Sequence, residues 1–205
     1  MSGMSDEEAA RHRARMIKRK QVQDAEVAAK TITEKGLLIV HTGPGKGKST
    51  AAFGLALRML GHGRRVAIVQ FIKGAWQSGE RAALARFGEL CAFHALGEGF
   101  TWETQDRARD IAACQHAFEV ARGYLADPDV ALVILDELNI ALRYDYLDLA
   151  TVLAALASRP PLQHVVITGR NAKPELIAAA DLVTEMGAVK HHFAAGVRAQ
   201  AGIEY

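Results

Sequence analysis

The sequence has few of the features that mark secreted, membrane-spanning or zinc-binding proteins. Its 205 residues include only two cysteines, Cys91 and Cys114, which stand far apart and have no paired histidines. This spacing excludes a zinc ribbon or a disulfide framework and is typical of a reducing compartment. No apolar run is long enough to span a bilayer, and residues 1–10 lack the apolar core of a secretory signal. We therefore expect a cytoplasmic protein without a membrane partner.

An excess of charge of one sign is also missing. The 25 Lys and Arg residues nearly balance the 23 Asp and Glu residues, for a net charge of +2. A charge this small does not by itself indicate a nucleic-acid partner, and we expect none. The length and the apolar half of the composition suit one well-cored domain.

The N-terminal segment differs from the rest of the chain. Residues 5–30 contain no Gly or Pro and many Ala, Glu, Lys and Arg residues, which predicts a long helix with a weak apolar stripe. Its basic cluster, between Arg11 and Lys20, is either a solvated helix face or a surface that folds over a ligand or partner. We expect residues 1–35 to form this segment and residues 36–205 to form the main domain.

From residue 36 onward, apolar strands alternate with helices. The predicted strands span 37–41, 66–72, 90–94, 130–135, 163–168 and 182–185. The predicted helices span 51–60, 80–87, 104–125, 147–158 and 174–180, and the tail from 187 is irregular. Cys114 falls on the apolar face of the third helix and is interpreted as core. Strands that are apolar throughout indicate a mostly parallel sheet covered on both faces.

The most informative motif lies between the first strand and the next helix. Residues 42–50 read Thr-Gly-Pro-Gly-Lys-Gly-Lys-Ser-Thr, a glycine-rich loop that opens a helix. Backbone N–H groups and the helix N-terminus favour phosphate oxygens there, Lys48 adds an ammonium, and the Ser49 hydroxyl can reach Mg²⁺. Thr42 stands where the pattern usually has glycine. Together with the predicted sheet, the motif predicts that residues 36–205 form an α/β P-loop nucleotide-binding domain, and we expect a RecA-like, three-layer NTPase fold with an additional N-terminal helix.

A second half of the nucleotide site follows the most apolar strand. Asp136 and Glu137 end the run 131–135, and a carboxylate opposite a phosphate loop can hold magnesium directly or through water. Either residue is a candidate metal group, and Glu137 could instead orient a water molecule. The alternative is a pair of acids at a helix N-terminus.

Four further residues allow two interpretations each. Lys73 and Arg170 follow strands that end at the same edge of the sheet. They are either cations that bind a ligand there or ordinary cations of the loops. Phe100 and Trp102 lie in a glycine-flanked loop, where they either plug the core or face a large apolar ligand.

These stretches together resemble the cytosolic ATP:corrinoid adenosyltransferase family. The most specific block is Gly-Phe-Thr-Trp-Glu-Thr at 99–104. The other matching stretches are 42–54, 69–74, 79–81, 135–138, 144–147, 167–170 and parts of the tail from 189 to 203. The threonine at position 42 is typical of this family, whereas Pro44 and His41 depart from it.

The resemblance implies an activity and a set of site residues. Co(I) of a reduced corrinoid attacks the 5′-carbon of ATP, and triphosphate leaves. The protein supplies orientation and charge neutralisation, with Lys48 as a catalytic residue and Ser49 and Glu137 as the Mg²⁺ ligands. The implied ATP-binding residues are Thr42, Gly43, Pro44, Gly45, Lys46, Gly47, Lys48, Ser49 and Thr50.

The resemblance also implies how the corrinoid is handled. Phe100 and Trp102 match the aromatics that displace its lower axial ligand, and the N-terminal helix would cap the active site. A reduced flavoprotein or flavin is the expected electron donor, and a homodimer is the expected assembly. A P-loop kinase or ATPase is the alternative, with a nucleic-acid-binding ATPase as a third hypothesis.

Overall fold

A computed structural model describes residues 6–32, 34–72, 78–97 and 106–204. The chain divides into two compact units at the boundary between Lys35 and Gly36. In the first unit, helix α1 spans Asp6–Ala28, and none of its residues is buried. Ion pairs one turn apart, such as Lys20 with Asp24 at 2.8 Å, line its surface. The helix expected over 5–30 is confirmed for its described residues, and it is polar on nearly every face.

The second unit alternates strands with helices, as the apolar pattern predicts. Its strands are β1 Leu38–Thr42, β2 Arg65–Gln70, β3 Cys91–Ala95, β4 Val130–Asp136, β5 His164–Thr168 and β6 Leu182–Glu185. Its α-helices are α2 Lys48–Gly61, α3 Gly79–Leu84, α4 Arg107–Ala126, α5 Leu138–Arg143, α6 Leu149–Ala157 and α7 Pro174–Ala179. Two 3-10 segments, Ala85–Leu90 and His192–Ala195, complete the described elements.

The six strands form one sheet in the order β3-β2-β4-β5-β1-β6. Every neighbouring pair is parallel, so all carboxyl ends lie at one edge. The register sets Val40 beside Ile167 and Gln70 beside Asp136. The predicted α/β architecture with a mostly parallel sheet is confirmed. The parallel register brings polar residues from several strand ends to the same edge.

Two apolar cores, one on each face of the sheet, make the three layers. Alternate side chains of β4 divide between them: Val133 and Leu135 pack with α4, whereas Leu132 and Ile134 pack with α2. Cys114 is 2% exposed within the α4 core, which confirms its structural interpretation.

Some boundaries differ from the sequence-based expectations. The helix expected over 80–87 is α-helical only to Leu84 and continues as a 3-10 segment, in which Gly88 has φ 55°. Strand β2 ends at Gln70 rather than at residue 72. Helix α5 was not expected, because its six residues are too few to show a helical apolar period.

Candidate nucleotide-binding site

The phosphate loop leaves the carboxyl end of β1 and enters α2. Gly43 and Gly47 have φ of 93° and 100°, a region that residues with side chains rarely adopt. Gly45 N–H donates to the Met186 carbonyl at 2.7 Å, and a Cβ at Gly45 would lie 2.4 Å from the Gly187 carbonyl oxygen. The loop therefore lies so close to the chain after β6 that position 45 has no room for a side chain.

Thr42, the off-pattern residue of the motif, has a structural role. It is 7% exposed, and its hydroxyl accepts a hydrogen bond from the Ala172 N–H at 3.1 Å. Its carbonyl accepts another from the Met186 N–H at 2.9 Å. A glycine could make the second bond but not the first. The threonine thus links the start of the loop to the segment that follows β5.

Lys48 lies across the phosphate loop. Its side chain donates to the carbonyls of Gly43, at 3.0 Å, and Gly45, and the residue is 7% exposed. Its own carbonyl lies 3.2 Å from Nδ1 of His41. The ammonium is therefore held against the backbone that is expected to surround phosphate oxygens.

The pKa of Lys48 shows which charges surround it. Burial lowers this pKa, and the positive charges of Arg170 and Lys46 act in the same direction. The carboxylates of Glu137 and Asp136 oppose the shift. The predicted cation Arg170 and both predicted carboxylates therefore lie near enough to Lys48 to influence its charge.

Asp136 is fully buried between two strand ends. Its Oδ2 accepts a hydrogen bond from the Gln70 side-chain amide at 2.8 Å, and its Oδ1 accepts one from the Thr168 hydroxyl at 2.7 Å. Gln70 ends β2, Asp136 ends β4, and Thr168 ends β5. Both oxygens of this carboxylate thus have protein donors, an arrangement typical of a buried structural acid.

Glu137 is half-buried and has the left-handed backbone conformation, with φ 63° and ψ 19°. Its N–H donates to the Thr168 hydroxyl at 2.9 Å. Although it precedes α5, its side chain makes no capping hydrogen bond to that helix. Its Oε2 lies 3.2 Å from the position of a Cβ at Gly169, so this carboxylate packs beside the chain after β5. Of the two candidate acids, Glu137 is the one on the accessible side of the edge.

The remaining site residues differ in environment. Pro44, Lys46, Gly47 and Thr50 are exposed, and Ser49 is half-buried in the first turn of α2. Lys46 forms an ion pair with Glu204, near the end of the chain. Lys73, Phe100 and Trp102 lie outside the described residues.

Sequence reasoning assigned no role to Gln70, Thr168 or Glu204. Gln70 and Thr168 are each a polar residue at the end of an apolar strand, which is visible in the sequence. The sequence does not show that both bind Asp136. For Glu204 the sequence offers no signal. Sequence reasoning also assigned no role to Asn139, which is fully buried and donates to the Gly169 carbonyl at 2.9 Å; within the described part of the chain, its side-chain oxygen accepts no hydrogen bond.

Two kinds of feature are absent from the described ranges, a metal-binding cluster and a membrane-spanning helix. No group of three or more His, Cys, Asp or Glu side chains there could hold a metal ion. None of the helices in those ranges has the length and apolar character needed to cross a membrane.

Comparison with known proteins assigns the chain to a family. Residues 34–205 match the family described as ATP:corrinoid adenosyltransferase BtuR/CobO/CobP, and residues 3–27 match the N-terminal segment of cob(I)alamin adenosyltransferases. The corrinoid adenosyltransferase of Pseudomonas aeruginosa is 57% identical over 98% of both chains. That of a Sinorhizobium species is 53% identical over 98% of this chain and 94% of its own. That of Salmonella typhimurium is 49% identical over 98% of this chain and all of its own. The chain belongs to the ATP:corrinoid adenosyltransferase family.

Proposed function

We propose that this protein transfers the 5′-deoxyadenosyl group of ATP to Co(I) of a reduced corrinoid, in adenosylcobalamin synthesis or corrinoid salvage. The family match over residues 34–205 carries the proposal, because a phosphate loop by itself does not specify which atom of ATP is attacked. The loop geometry supports the ATP half of the reaction.

The reaction balances without a general base. The electron pair of Co(I) forms the cobalt–carbon bond, the bond from C5′ to the triphosphate oxygen breaks, and its electron pair leaves with triphosphate. Negative charge develops on the leaving group, so fixed positive charge near it lowers the barrier. Residues 42–50 bind the triphosphate, with Lys48 as the neutralising cation and the exposed Lys46 and Arg170 as further positive charges.

The residues present fit a magnesium ion. Mg²⁺ prefers oxygen ligands, uses one or two protein side chains, and takes the rest from phosphate and water. Ser49 and Glu137 supply such oxygens, and the lack of a three-residue cluster among the described side chains agrees with a metal held largely by its nucleotide. In this role Mg²⁺ would offset triphosphate charge.

The corrinoid half of the proposal rests on resemblance. Phe100 and Trp102 displace the lower axial ligand of cobalt, and the segment 1–35 closes over the bound corrinoid. A reduced flavoprotein or flavin supplies the electrons, and the protein works as a cytoplasmic homodimer.

A spectroscopic assay tests the transfer. The full chain is incubated with Mg-ATP, hydroxocobalamin and a strong reductant, and the light-sensitive spectrum of adenosylcobalamin is followed beside triphosphate release. We expect one intact triphosphate for each adenosylated corrinoid and none in a reaction without corrinoid. Release of phosphate or diphosphate without alkylation would instead support a P-loop kinase or ATPase.

The role of Trp102 has a separate test. Trp102→Ala should retain ATP affinity but lose the four-coordinate Co(II) signal in electron paramagnetic resonance. An unchanged signal would contradict the role.

A further inference from the structure

A chain of three hydrogen bonds joins the ends of β2, β4 and β5. The Gln70 amide donates to Asp136, the Thr168 hydroxyl donates to the other oxygen of Asp136, and the Glu137 N–H donates to that same hydroxyl. Gln70, Asp136 and Thr168 are 6%, 0% and 0% exposed. These three hydrogen bonds therefore lie beneath the edge of the sheet where the strands end, and the last of them reaches the backbone of Glu137.

Glu137, at the end of this series of hydrogen bonds, has an unusual backbone conformation. Glu137 has φ 63°, a left-handed geometry that a residue with a side chain adopts only where its surroundings require it. Glu137 is the single residue between the end of β4 at Asp136 and the start of α5 at Leu138, so its backbone conformation sets the direction of its own carboxylate. Something must hold this peptide in place.

The Thr168 hydroxyl is suited to hold it because a hydroxyl has only one proton. That proton is directed to Asp136 Oδ1 at 2.7 Å, which leaves the oxygen lone pairs for the Glu137 N–H at 2.9 Å. Asp136 thus sets the orientation of the hydroxyl, and Gln70 holds the other oxygen of Asp136. Both oxygens of this carboxylate therefore have protein donors.

We infer that Thr168 is a positioning residue, oriented by Asp136, that holds the Glu137 carboxylate at the phosphate loop. This inference rests on the proposed function only for what Glu137 does there, namely binding Mg²⁺ with ATP. The sheet supports the placement, because β4, β5 and β1 are parallel neighbours and end at the edge from which the phosphate loop leaves.

Three variants of the full chain test the inference. Thr168→Val keeps the shape and removes the hydroxyl, whereas Thr168→Ser keeps the hydroxyl. Thr151→Val is the matched control, because Thr151 also donates its hydroxyl to a carboxylate, Asp148, at 2.7 Å, but on the exposed surface of α6.

The first readout needs no ligand. Amide hydrogen exchange of Glu137, followed by NMR, should become at least about fivefold faster in Thr168→Val, the usual weight of one net hydrogen bond. It should stay near the wild-type rate in Thr168→Ser and Thr151→Val. An unchanged rate in Thr168→Val would overturn the inference.

The second readout is the Mg²⁺ dependence of ATP binding, measured by calorimetry. Thr168→Val should need about five- to tenfold more Mg²⁺ for the same affinity, with Mg²⁺-free ATP binding unchanged. Faster exchange without a change in Mg²⁺ dependence would also refute the positioning role. If Thr168→Val does not fold, Gln70→Leu removes the outer donor and should shift both readouts in the same direction by less.

Failure of the proposed function gives a different result. In that case the wild-type chain forms no adenosylcobalamin, while the exchange rates and Mg²⁺ dependence still separate Thr168→Val from Thr168→Ser.

Discussion

At the scale of single residues, burial decides which titratable groups can react. Lys48 is buried against the backbone of the phosphate loop. Burial lowers its pKa, and nearby carboxylates raise that pKa in part. Burial also raises the pKa of the Cys91 thiol. Burial and the charge of Asp110 raise the pKa of Cys114 to about 12. Burial thus disfavours the charged form in each case, the ammonium of Lys48 and the thiolates of the two cysteines.

Removing the charge of Lys48 should separate binding from folding. Lys48→Met should weaken ATP binding by about 10- to 100-fold, since a charge-assisted hydrogen bond contributes about 1.5–3 kcal/mol. Its free energy of unfolding should change little, because a buried ammonium loses hydration. Calorimetry and urea unfolding measure the two effects, and Arg58→Met, in the last turn of the same helix, is the control. Equal ATP affinity in both variants would contradict the role of Lys48.

The cysteines should be unreactive in the folded protein. The pKa of Cys114 is raised to about 12, so its thiol stays protonated at pH 8.5, where an unfolded cysteine is about half ionised, and burial raises the pKa of Cys91 as well. The contribution of Cys114 to stability is present below about pH 8.5 and decreases as the pH rises towards 12, since only the unfolded thiol then loses its proton. Alkylation at pH 8.5 should be slow until urea is added; rapid native labelling would show that the thiols are accessible.

At the scale of elements, the site is assembled where strands end and loops begin. The strand β1, the loop and the helix α2 are contiguous, so local sequence specifies them. The bond between Asp136 and Gln70 instead depends on β2 and β4 being neighbours in the sheet. Two glycine-to-alanine substitutions, one in the phosphate loop and one in α4, separate the effect of tight packing on stability from the effect of helix propensity.

Gly45→Ala and Gly123→Ala should have opposite effects. The new Cβ at position 45 would lie 2.4 Å from the Gly187 carbonyl oxygen, so backbone must shift, at a cost of about 1–3 kcal/mol. Gly123 is exposed in α4 with no atom within 4 Å of the new Cβ, so alanine should stabilise by about 0.5–1 kcal/mol. Urea unfolding measures both, and equal shifts would contradict the packing argument.

At the scale of the whole nucleotide-binding unit, the end of the chain returns to the phosphate loop. Met186 and Gly187 pack against Gly45, and Glu204 forms an ion pair with Lys46 and lies 3.1 Å from Nε2 of His192. A carboxylate beside this loop would repel a triphosphate and compete with it for Lys46.

Glu204→Gln should therefore tighten ATP binding, by about two- to fivefold for a partly exposed ion pair. The effect should shrink at high salt, because mobile ions screen such charges. The control is Glu119→Gln, which removes the partner of Arg122 on the surface of α4. Weaker ATP binding in Glu204→Gln than in the control would show that the tail contact supports the loop instead of competing with its ligand.

Much of the fold was predictable because its signals are local. Strand, loop and helix at residues 38–61 follow from an apolar run, three glycines and a helical pattern. The core position of Cys114 follows from helical spacing. The hydrogen-bond partners of Asp136 and Glu137 were not predictable, because adjacent carboxylates look alike until the neighbouring strands are known, and only the family resemblance favoured Glu137 as the metal ligand.

The sequence by itself therefore determined the alternation of strands and helices, the phosphate loop and the family. These depend on residues that are close along the chain or on the motif as a whole. Only the tertiary structure decided that Asp136 is engaged from both sides, that Thr168 holds the Glu137 backbone, and that Glu204 reaches Lys46. The physical reason is that hydrogen bonds and ion pairs act over about 3 Å, whereas these partners meet only once the parallel sheet sets its strand order.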